Sequence, residues 1–189
     1  MAAFYLVRER HFSMYSMARI GGAVFLTQAI SSAVCGRVSD RWIAAGATAT
    51  QVRKPIMAIG LTAGGVFLGA SVLAGAGFSI LLLICAAAAF GCSLSNIFAI
   101  TQTLAGPKAA GRWTGLQCGI GNSSGVVAPA VTGFILNRTG HFFWAFALTS
   151  GVVFIGALCW LFVVGPIEAV RWGDEEVYPS GGGTILKRA

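Results

Sequence analysis

Residues 79–102 read SILLLICAAAAFGCSLSNIFAITQ, an uninterrupted run with no acidic or basic side chain. As an α-helix it is about 36 Å long, which exceeds the roughly 30 Å hydrocarbon core of a bilayer. Two apolar runs of similar length lie on each side of it. The sequence therefore predicts spans at 15–36, 55–76, 79–102, 113–136 and 142–165. Of the 189 residues 56% are hydrophobic and 10% charged, with a mean hydropathy of +0.78. That is more apolar surface than a soluble core of this size can bury, so the bilayer is the solvent. The expected fold class is an all-α membrane protein with five transmembrane helices at 15–165. Residues 1–14 read as an outer loop and 166–189, with Pro179 and Gly181–Gly183, as a disordered tail.

All six acids (Glu9, Asp40, Glu168, Asp174, Glu175, Glu176) fall outside the spans, and the one basic residue within a span is Arg19, near its first turn. The loop basic residues divide unevenly. Arg37, Arg41, Arg53, Lys54, Lys108, Arg112 and Arg171 lie at one set of span ends, against Arg8, Arg10 and Arg138 at the other. The positive-inside rule then puts the N-terminus outside and the C-terminus in the cytoplasm. A signal-peptide reading of the first span fits worse: Val34 precedes the cut it would need at Cys35, and export would strand the next basic loop outside. The net charge of +7 is spread among loops and forms no stripe with interleaved aromatics, which argues against a nucleic-acid partner.

The five cysteines (Cys35, Cys85, Cys92, Cys118, Cys159) lie in spans without C-x-x-C or histidine pairing, and read as packing residues rather than a metal or redox site. No cofactor is expected. His11 and His141 sit at the outer boundary, away from any nucleophile, so an intramembrane enzyme is disfavoured. Glycine pairs at four-residue spacing (Gly60/Gly64, Gly65/Gly69, Gly115/Gly119, Gly121/Gly125) predict close helix approaches.

The fourth span carries polar groups at membrane depth. Gly119-Ile120-Gly121-Asn122-Ser123-Ser124-Gly125 places an amide and two hydroxyls near the midplane, and Pro129 deprives the Gly125 carbonyl of its helical donor and favours a kink. Asn122 is the leading candidate to face a substrate, with a bridge to a neighbouring helix as the structural alternative. Asn96, with Ser95 and Ser93 nearby in the third span, could face Asn122 across an antiparallel pair. Gln117 is a further candidate, and Gln28 and Thr27 are weaker ones.

Gly36-Arg37-Val38-Ser39-Asp40-Arg41 resembles the G-x-x-x-D-R loop signature of the major facilitator superfamily, although Trp42–Gly46 lacks the basic run that follows it there. GRWTGLQCGIGNSSGVVAPAVTGFI (111–135), TGHFFWAF (139–146) and PIEAVRW (166–172) are similar to the anion:cation symporter branch, which handles organic anions such as sugar acids. The resemblance implies that the spans are helices 8 to 12 of a twelve-helix fold, that residues 1–14 are the remnant of an outer loop, and that N-terminal helices are missing partners. It places Asn122 with Ser95 or Asn96 on the wall of a central cavity. It also implies a cytoplasmic gate involving Asp40, Arg41 and Arg112, in which Asp40 pairs with basic loop residues and faces the N-terminal end of the fourth span, where the helix dipole favours a carboxylate. The function implied is part of a secondary active transporter for a small organic anion, proton- or cation-coupled as a whole. The rival reading is a non-transporting membrane scaffold or assembly subunit that binds partner helices through its glycine faces.

Overall fold

Four helices, each long and apolar enough to cross a membrane, make up the computed structural model, which describes residues 13–170. They are α1 (Met14–Ala44), α2 (Ala49–Leu73), α3 (Ala76–Thr139) and α4 (Phe143–Phe162). No strand occurs among the described residues. Ser13 caps α1, its Oγ accepting from the Ser16 amide at 3.2 Å. Thr48 and Gln51 form a capping box at the start of α2, which satisfies two backbone donors that the helix itself cannot.

The predicted basic loop 37–54 is mostly helix. α1 continues through the G-R-V-S-D-R signature to Ala44, and only four residues separate it from α2. Hydropathy marks where a helix leaves lipid; it does not mark where the helix ends.

The third and fourth predicted spans both lie in α3, which breaks at Gly106, where φ 67° and ψ 174° leave the helical region. Glycine reaches this conformation without the Cβ clash that other residues suffer, and Pro107 then opens the second arm. A straight helix would hold Leu83 and Leu136 about 80 Å apart, yet both belong to one apolar cluster with Phe142 and Phe146. The two arms therefore double back at Gly106.

The first arm is the hub. Gly91 abuts the Gln28 carbonyl of α1, Gly36 of α1 abuts Ser95, and Gly60 and Gly64 of α2 lie against Ser93 and Phe90. On its other face, α2 packs against α4 through Gly65 and Gly69, which meet Val153 and Ser150. The Gly60/Gly64 and Gly65/Gly69 pairs thus make close approaches, whereas Gly115, Gly119, Gly121 and Gly125 of the second arm meet nothing within 4 Å.

Two further expectations change. Cys35 and Cys92 form a disulfide between α1 and the first arm, with Cα atoms 5.2 Å apart, whereas Cys85, Cys118 and Cys159 are free. The tail read as disordered is packed over its first residues. Ile167 is buried with Met57 and Ile100, its amide donates to Thr50 Oγ1 at 2.8 Å, and the Val170 amide donates to the Leu104 carbonyl at 2.8 Å. One apolar side chain and two satisfied amides are enough to strap this segment across α2 and α3. The rest of the tail, and most of the outer loop, lie outside the described residues.

Candidate functional site

The elbow at Gly106 positions the candidate residues, because each one's distance from the break sets its depth. Asn96 lies ten residues before Gly106 and Asn122 sixteen after, so in antiparallel arms their levels differ by about 9 Å. The structure does not bring them together. Asn96 is buried, only 1% exposed, and its Nδ2 donates to the Cys92 carbonyl at 2.9 Å. Asn122 is exposed, and its Nδ2 donates to the Cys118 carbonyl at 2.9 Å. Each amide thus turns back on its own helix and keeps one oxygen acceptor in hand.

The second arm presents an open polar face around Asn122. Ser123 and Ser124 hydroxyls donate to the carbonyls of Ile120 and Gly121 at 2.6 Å each, and residues 119–131 are exposed throughout. Ser95 is half-buried against Gly36 of α1, its Oγ donating to the Cys92 carbonyl at 3.3 Å. It therefore serves the α1 contact. Gln117 lines a cavity of about 440 Å³ inside the elbow, with Trp113, Thr101 and Val170. Gln117 Oε1 and, three residues earlier, Thr114 Oγ1 are buried without a hydrogen-bond partner.

At the basic end, Arg53 is the organising residue, and the sequence reading singled it out only as one of the loop basics. Its Nη2 donates to Asp40 Oδ1 at 3.2 Å and its Nη1 to Thr103 Oγ1 at 3.0 Å, so one guanidinium joins α1, α2 and the first arm. Arg53 is 12% exposed and Asp40 70% exposed. An ion pair with one partner in water contributes little stability by itself, so its use lies in fixing the relative position of three helix ends. Arg41 and Arg112 are exposed, and neither side chain has a partner among the described residues. The basic partner of Asp40 is thus contributed by α2. No cluster of histidine, cysteine or carboxylate that could hold a metal ion occurs among the described residues.

A sequence model of the Major Facilitator Superfamily matches residues 1–179. The chain belongs to this superfamily. Within the Major Facilitator Superfamily it is similar to transporters of sugar acids and other anions. It is 29% identical over 178 residues to a hexuronate transporter of Bacillus subtilis (strain 168), covering 93% of this chain and 42% of that protein. It is 31% identical over 143 residues to a chloroplastic ascorbate transporter of Arabidopsis thaliana, covering 75% of this chain and 26% of the relative. A probable galactarate/D-glucarate transporter of Bacillus subtilis (strain 168) is 26% identical over 181 residues, covering 93% and 38%. The chain thus spans about two-fifths or less of the length of these relatives, and its family and its long apolar helices make it a multi-pass membrane protein.

Proposed function

We propose that this chain forms the C-terminal part of an alternating-access transporter for a small organic anion, of the sugar-acid or related carboxylate type. The observation that carries the reading is its similarity, over nearly its whole length, to transporters of hexuronate and of galactarate or glucarate. In this reading α1, α2, the two arms of α3 and α4 are five spans, helices 8 to 12 of a twelve-helix protein. The N-terminus of the described region is outside, and the strap is cytoplasmic. The exposed second arm is the wall of a central cavity whose other wall comes from N-terminal helices.

Asn122 is the substrate-facing residue of that wall. Its free oxygen can accept from a sugar hydroxyl, and the open space beside Gly121 and Gly125 admits a ligand close to the backbone. Asn96, buried inside the bundle, supports the wall, as Ser95 does at the α1 contact; Gln117 sits nearer the cytoplasmic elbow. The apolar stretches 15–36, 55–76, 79–102, 113–136 and 142–165 carry no carboxylate, Asp40 lying at the basic end of α1, so in this reading a coupling acid belongs to the other half. The Asp40–Arg53 pair, with Arg41 and Arg112 nearby on the same end, is the cytoplasmic gate. The test is to replace the matching part of the Bacillus hexuronate transporter with this chain and measure hexuronate uptake with Asn122 intact and with Asn122→Ala. Loss of one hydrogen bond to substrate lowers uptake at limiting concentration about tenfold. Equal uptake would remove Asn122 from the site.

A further inference from the structure

A groove runs along the face where α2 meets α4, on the side away from the arms of α3. Its two cavities, of about 470 and 360 Å³, share Thr62 as a lining residue. Pro55 and Gly69 of α2 mark its ends, and Leu161, Phe154 and Gly151 of α4 form the opposite wall. The fourteen-residue rise from Pro55 to Gly69 is about 21 Å, longer than the roughly 15 Å depth of one leaflet's hydrocarbon. The lining is almost wholly apolar, and small residues (Thr62, Gly69, Gly151) keep it open. A long, narrow, apolar trench of this length fits a single hydrocarbon chain.

The basic end of the trench carries a fixed charge. Lys54 precedes Pro55, and its Nζ donates to the carbonyl of Val164, three residues beyond Leu161, at 2.7 Å. That bond ties the ammonium of Lys54, the chain neighbour of Pro55 at the groove's end, to the segment just beyond α4. No carboxylate lies within salt-bridge distance of it among the described residues, and an ammonium has three donors. Two N–H groups therefore remain for an acceptor arriving from the headgroup level. Arg53 next door is committed to Asp40 and Thr103 and does not compete.

We propose that this groove holds one acyl chain of an anionic phospholipid whose phosphate rests on the Lys54 ammonium. Charge complementarity at the mouth selects the lipid class, and the trench orders a chain that would otherwise be lost to the bulk bilayer. The site does not depend on the transport reading, because every residue in it lies in α2, α4 or the residues that follow α4.

The experiment is native mass spectrometry of the full chain released from micelles that contain equal phosphatidylglycerol and phosphatidylcholine. One phosphatidylglycerol is retained with about fivefold preference, the factor that one lysine near an anionic headgroup supplies. Lys54→Gln brings the preference to about one, and Gly151→Leu lowers retention of both lipids. An added Cβ at Gly151 meets nothing within 4 Å, so a larger side chain starts from open space on the lining of the trench. If Lys54→Gln does not fold, raising the salt concentration on the unaltered chain must shrink the preference by screening. Equal retention of the two lipids overturns the proposal, as does a preference that survives Lys54→Gln or high salt. So does a dimer of the chain that Gly151→Leu makes monomeric, because a second copy would then occupy the groove.

Discussion

Gly91→Ala is the most informative single change to the packing. A Cβ built there would stand 2.5 Å from the Gln28 carbonyl oxygen, 2.9 Å from Ser31 Cβ and 3.2 Å from the Gln28 carbonyl carbon. Two of these three atoms are backbone, so no side chain can swing aside to make room. Ordinary contact needs α1 to retreat from the first arm of α3 by about 1 Å, and overpacking of this kind typically costs ~1–3 kcal/mol. The Cys35–Cys92 disulfide fixes the same pair of helices one residue away and limits that retreat. Gly121→Ala is the matched control, since an added Cβ there meets nothing within 4 Å. In that variant the better helix propensity of alanine contributes up to ~1 kcal/mol of stability. The assay is reversible unfolding in mixed micelles titrated with dodecyl sulfate, run with and without reductant. Gly91→Ala should unfold at a lower detergent fraction than the unaltered chain, and Gly121→Ala at an equal or higher one. If both variants unfold alike, α1 is not seated on Gly91 and the packing described above is wrong.

The fold-back at Gly106 fixes sidedness. In a background without native cysteines, single cysteines at Ala45 and Lys108 should react with an impermeant thiol reagent from one side, and those at Ala74 and His141 from the other; Lys108 labelling together with His141 would contradict the elbow. Ile167→Ala should cost ~2 kcal/mol, because the side chain is 3% exposed among Met57 and Ile100, and should speed hydrogen exchange at its own amide. Unchanged exchange there would mean that the strap is not seated. In the hexuronate-transporter graft, Asp40→Asn weakens the link to Arg53 and should raise the thiol reactivity of a cysteine placed at Arg112. Unchanged reactivity would remove this pair from the gate.

The sequence made the bilayer and the approximate spans legible because uncharged runs of helical length have no other solvent. Contacts were legible only where spacing implied them. The Gly60/Gly64 and Gly65/Gly69 pairs meet neighbours as four-residue spacing predicts, yet Gly115, Gly119, Gly121 and Gly125 have the same spacing and meet none. Spacing says that a backbone can be approached; what approaches it depends on the other helices. Gly91 makes a close contact, and Gly36 an ordinary one, without such a pair, and their signal would have been the nearby Cys92 and Cys35, whose pairing needs a register between two helices that neither one shows alone. Ile167 was hidden in a polar tail because a strap needs only one apolar anchor. For the candidate site, counting residues from Gly106 would already have placed Asn96 level with residue 116 rather than with Asn122. Arg53 was legible as a cation and Asp40 as its counter-charge, but their meeting depended on α1 and α2 both extending as helix into the predicted loop.

The central claim is that this chain supplies the C-terminal wall of an organic-anion transporter, and uptake by the grafted hexuronate transporter tests it most directly. With this chain in place of the matching two-fifths, cells should take up labelled hexuronate saturably above the level of empty membranes, in competition with galactarate or glucarate. A graft that reaches the membrane in normal amount and moves none of these sugar acids would contradict it.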